Sequence, residues 1–149
     1  MDDQAIAEIA AWATLAANGL AGAYAGWAWW RVRPAARAWP LLRAAQAVAI
    51  AQALAAGALY LAGYEPEDGL YWLYALLPVA IGLIAEQLRL VSAEQVLENR
   101  DLEDARAVGA LPEDEQRSVV LAIVRREMGV MALGAGVVAF LALRAALIA

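Results

Sequence analysis

Apolar residues run through four long stretches of this chain: about 6–30, 41–64, 70–91 and 127–148. A helix needs about 20 residues, at 1.5 Å each, to cross a hydrocarbon layer of about 30 Å. Each stretch meets that length. No charged residue falls within 9–30, 44–64, 69–85 or 128–143. The pattern predicts an all-α integral membrane protein, a single membrane domain over 1–149. Its four transmembrane helices form an antiparallel bundle, with helices 3 and 4 extended into a cytoplasmic helical hairpin.

The hairpin occupies 92–126, the one substantial polar segment. Residues 92–108 are charged and free of proline, with Arg100/Asp104 and Glu103/Arg106 at helical spacing. Gly109 is a natural stop, and Pro112 suits a first helical position. Glu113, Asp114 and Glu115 favour the positive end of the next helix. The expectation is helix over 92–108, a break at 109–111, and helix again from 112 into the last span. The acids within 94–104 argue against a helix lying on anionic lipid.

Charge orients these helices. Of the eleven cationic residues, all but Arg144 lie at one side of the four stretches. Arg31, Arg33, Arg37 and Arg43 stand between or just inside the first two. Arg100, Arg106, Arg117, Arg125 and Arg126 stand between the last two, with Arg89 at the edge of that segment. The N-terminus and the 65–69 connection carry only acids. Cytoplasmic loops are enriched in arginine and lysine, so both termini are expected outside the cytoplasm. The N-terminus begins with two aspartates, unlike the positive start of a cleaved signal, so the first helix is expected to be retained.

Composition narrows the function classes. Hydrophobic residues make up 64% of the chain, which leaves room for one membrane domain and little else. The net charge is −5 and no basic stripe stands apart from the topology signals, so nucleic acid is not an expected partner. There is no cysteine or histidine. Ser-His and Cys-His nucleophilic machinery therefore cannot be built, nor can histidine-held haem. No phosphate-cradling glycine loop occurs. Neither enzymatic activity nor a cofactor is expected. Every cation is arginine and alanine abounds, a composition typical of a GC-rich bacterial genome, which suggests the bacterial inner membrane.

Aromatic residues set a depth scale. Trp27, Trp29, Trp30 and Trp39 mark the inner interface; Tyr60, Tyr64, Tyr71, Trp72 and Tyr74 mark the outer one. On this scale Asn18 and Gln52 lie near the midplane and Gln46 lies further in. Glu86 lies inside the inner boundary, level with Arg125 and Arg126, and Arg144 reaches the outer surface. Intramembrane polar residues are costly, and they serve either as interhelical hydrogen-bond glue or as part of a substrate path. Glu86 is the leading functional candidate, with Asn18, Gln52 and Gln46 as a polar layer. Its expected ion-pair partners are Arg89, Arg125 or Arg126. A cavity reaching Glu86 would favour transport; a dry ion pair would favour a structural role.

Small residues suggest contact faces: Gly22 and Gly26 on the first helix, Ala47, Ala51 and Ala55 on the second, and Gly129, Gly134 and Gly136 on the fourth. The expected role is a non-enzymatic component or scaffold of a membrane assembly. It would meet copies of itself or a protein partner through 92–126 and the lipid bilayer elsewhere. The alternative is a small transporter or channel using Glu86 and the Asn18/Gln52 layer.

Overall fold

A computed structural model describes residues 2–33 and 36–149. These residues form five helices: α1 (Asp3–Arg31), α2 (Ala38–Ala62), α3 (Leu70–Glu98), α4 (Ala105–Gly109) and α5 (Glu113–Ala146). Four of them are long and apolar enough to cross a membrane. α5 has 34 residues, about 51 Å at 1.5 Å each, longer than the roughly 30 Å of a bilayer core.

Local chemistry sets the ends. The Asp2 carboxylate accepts a hydrogen bond from the Ala5 backbone N–H, capping α1. Gly63, at φ 83°, ends α2: its N–H bonds Tyr60 and the Tyr64 N–H bonds Leu59. This paired closure recurs after α3, where Asp101 takes the left-handed position at φ 54°. The Asp104 side chain then accepts from the N–H groups of Arg106 and Ala107 and starts α4. The expected continuous helix over 92–108 is thus broken at 99–104. Aspartate tolerates the left-handed region and is also a strong N-cap, and here two aspartates three residues apart do both jobs. The break at 110–112 is present as well. The Gln116 amide pins it by donating to the carbonyls of Gly109 and Leu111.

Burial follows a heptad rhythm. On α1 the buried residues are Ala7, Ala11, Thr14, Asn18, Ala21, Ala25 and Ala28, spaced alternately by four and three. On α2 they are Ala38, Leu42, Ala45, Ala49, Gln52, Ala56 and Leu59, with the same spacing. Such a seam keeps one face toward a neighbour over the whole helix length. Ala7 and Ala11 cluster with Ala56 and Leu59, while Ala21 and Ala25 cluster with Ala38, Leu42 and Ala45. The face expected from Ala47, Ala51 and Ala55 is not the one used, since Ala47 and Ala51 are exposed. Alanine occurs on every side of this helix, so it cannot select a face. The buried face is the one that carries Gln52.

α5 lies against both α1 and α3, α2 lies against α1, and the contact between α2 and α3 is sparser. Glycine permits the closest approaches. A Cβ on Gly22 would come within 3.2 Å of the Ala135 Cβ and 3.4 Å of the Ala132 carbonyl. A Cβ on Gly134 would meet Ala85 at 2.8 Å, and one on Gly129 would meet the Trp29 ring at 3.0 Å. Gly26 is looser, and Gly19 and Gly136 face open space. Tyr71 is 1% exposed and belongs to the core rather than to an interfacial belt.

Candidate functional site

Four of the charges within the apolar stretches, Arg43, Glu86, Arg89 and Glu127, gather into one network. Arg43 of α2 grips Glu86 of α3 with both terminal nitrogens, at 2.7 and 3.2 Å. Gln46, one turn after Arg43, donates to the same carboxylate at 2.9 Å and accepts from Arg43 at 2.8 Å. Arg89, one turn after Glu86, donates through Nε to Glu86 and through a terminal nitrogen to Glu127 of α5, both at 3.1 Å. Two arginines and two carboxylates thus join three helices, and their formal charges cancel. Each Glu86 oxygen accepts two hydrogen bonds. Charge-assisted bonds of this kind, one pair bidentate, are stronger than neutral ones. Arg89 also lies 5.2 Å from the Trp39 ring centroid, a cation–π contact.

Of the expected partners, Arg89 binds Glu86; Arg125 and Arg126 do not. Arg125 stacks over Trp29 and Arg126 donates to Gln95. Both precede Glu127 on α5; Arg126 meets α3 at Gln95, and it is Glu127 that joins the Glu86 network, through Arg89. The unexpected partner is Arg43, which the charge pattern marked only as a topology signal. It shares a helix face with Gln46 at i,i+3, and that spacing was the available clue. Arg144 stacks over Tyr74.

Beside the network, between α2 and α3, lies a cavity of about 190 Å³. Arg43, Gln46 and Glu86 line one end. Leu42, Ile50, Val79, Leu83, Met131 and Val138 supply apolar wall, and Asn18 of α1 also lines it. Pro78, buried within α3, and Gly82 contribute to the same wall. The carboxylate is therefore both ion-paired and at the edge of a cavity. The two features that the sequence set against each other coexist.

The polar layer divides. Asn18 donates through Nδ2 to the carbonyls of Thr14 and Ala45, at 3.1 and 3.2 Å, and so ties α1 to α2. Gln52 is 1% exposed, does not line the cavity, and neither of its amide atoms has a partner. The Thr14 hydroxyl is likewise buried and unpaired. Such orphans are destabilising. Gln52→Met, which keeps the length and removes both orphans, is expected to raise stability by about 1–3 kcal/mol. Denaturant titration of the purified protein checks it; a loss would mean that the amide is paired in the folded protein.

Among the described residues no group of three acidic side chains is arranged to hold a metal ion. No protein-family model, curated protein or solved structure matches this chain, so what it does must be argued from its own geometry.

Proposed function

We propose that the chain is a non-enzymatic four-span component or scaffold of a membrane assembly, an antiparallel helical bundle in a bacterial inner membrane. Large apolar side chains are exposed along all four long helices, among them Leu20 at 73%, Leu61 at 87%, Leu83 at 65% and Leu133 at 71%. A bilayer would cover such a surface, which water does not tolerate over this extent. The observation that carries the structural role is the saturation of Glu86. A carboxylate that accepts from Arg43, Gln46 and Arg89 is held as a clamp between helices. The segment from Ser92 to Arg126 projects beyond the clamp and is the proposed surface for a second copy or a protein partner.

The orientation proposed from arginine placement puts both termini and the 65–69 turn outside the cytoplasm. Reporter fusions at the C-terminus and near Gly109 should give opposite readouts, with Gly109 cytoplasmic; a cytoplasmic C-terminus would overturn the four-span orientation. The assembly role is tested by replacing 99–112 with a Gly/Ser linker. The variant should still insert but run as a smaller species in mild detergent than the unaltered chain.

The second reading is a small transporter. The cavity that reaches Glu86 and Asn18 favours it. Proton-coupled flux in liposomes, abolished by Glu86→Gln without loss of stability, would select it over the scaffold.

A further inference from the structure

The cavity between α2 and α3 has three properties that together describe a ligand. The first is its opening. Ile50 and Leu83 line it and are also 50% and 65% exposed, so it opens on the apolar flank of the helices. On the membrane reading proposed above, on which this inference rests, that flank faces lipid. The second is its charge balance. The ionic groups at its end, Arg43 and Glu86, are bound to each other, and Gln46 is engaged with both. The rim presents no uncompensated charge to an anion or a cation.

The third is Asn18. Its residue is 3% exposed. Both bonds made by Nδ2 go to backbone carbonyls, which can only accept, so the orientation of the amide is fixed. Among the described residues its Oδ1 accepts no hydrogen bond, and unlike the Gln52 amide it is not sealed off. Asn18 lines the cavity, and Oδ1 is the atom of its amide left without a partner. A single unpaired acceptor on an otherwise apolar wall calls for one donor.

We infer that this cavity binds an uncharged, single-chain alkyl amphiphile from the bilayer, whose hydroxyl donates to Asn18 Oδ1 while its chain passes out between Ile50 and Leu83. An apolar cavity of about 150 Å³ is large enough for benzene, so about 190 Å³ accommodates the leading carbons of such a chain. The rest stays in lipid, where chain length is unrestricted.

The test uses the full chain in phosphatidylcholine nanodiscs and an eight-carbon alcohol bearing a diazirine, with photoadducts mapped by mass spectrometry. Adducts at Leu42, Val79 and Met131 should saturate with probe concentration. Decanol should compete them away, and methyl nonyl ether, which has no donor, should compete at least fivefold more weakly. A Cβ on Gly82 would meet nothing within 4 Å, so Gly82→Leu fills the cavity without forcing the backbone apart. That variant should keep its helicity and lose at least fivefold of the saturable labelling. Non-saturable adducts at Leu61 and Leu133 serve as the internal control. If these outward residues are unlabelled, the membrane reading fails. If they are labelled while the cavity residues are not, or label without saturation, the site fails. Equal competition by the ether, or unchanged labelling of Gly82→Leu, overturns the inference too.

Discussion

Glu86→Ala is expected to lower stability by about 2–3 kcal/mol, the scale of losing hydrogen bonds to a charged group. Glu86 is the hub of the network: its removal deprives Arg43 of its ionic partner and leaves Arg89 with Glu127 alone. The loss stays below the roughly 3–5 kcal/mol of a fully buried pair, because 21% of the Glu86 side chain is exposed. The ranking of variants is the sharper test. Arg43→Ala should cost less than Glu86→Ala, since the Arg43 side chain is 51% exposed and its pairing is more nearly that of a surface bridge. Arg89→Ala should fall closer to Glu86→Ala, as it unties α3 from Glu127 of α5. Glu86→Gln, which retains a carbonyl acceptor, should lose about 1–3 kcal/mol. Chemical denaturation of the purified variants measures all four. A Glu86→Gln protein of unchanged stability would remove the clamp from the account of this fold.

Gly22→Leu is expected to cost about 3 kcal/mol, the upper part of the usual range for overpacking a tight contact. A leucine adds not only the Cβ that would lie 3.2 Å from Ala135 but three further carbons, against a wall that includes the α5 backbone. A backbone wall cannot turn aside as a long side chain can, so α1 and α5 must separate. The matched control is Gly19→Ala on the same helix. Nothing lies within 4 Å of its added Cβ, and alanine is the better helix former by roughly 0.5–1 kcal/mol. Gly19→Ala should therefore match or exceed the unaltered chain in stability while Gly22→Leu falls well below it. If the two behave alike, α1 and α5 do not meet through Gly22.

The comparison of Gly19, Gly22 and Gly26 also marks how far small residues can be read. Their spacing suggested a contact, but only Gly22 makes a tight one. On α2 the alanine stripe pointed to the wrong side, while Gln52, a polar residue in an apolar stretch, lies on the buried face. A polar side chain in such a helix has a reason to turn inward that alanine lacks. Of the network, Glu86, Gln46 and Arg89 were legible as intramembrane or boundary polar groups. Arg43 was legible as a boundary charge but not as the partner of Glu86, from which it stands 43 residues away and which it meets only after the chain folds back at 65–69.

Four long apolar helices, their charge-free segments and the clustering of all arginines but Arg144 at one side can be read along the chain. Those properties depend on hydrophobic length and local chemistry, which are written along the chain. The break at 99–104 was written there too, in Asp101 and Asp104, although charge spacing alone suggested continuous helix. Packing of the helices sets which face of each is buried, pairs Glu86 with Arg43 rather than with Arg125 or Arg126, and brings Asn18 but not Gln52 to a cavity. Those outcomes depend on the rotation of each helix about its own axis and on its offset against its neighbours. In alanine-rich helices many rotations bury similar surface, so a few glycine contacts and polar bonds between distant residues make the choice.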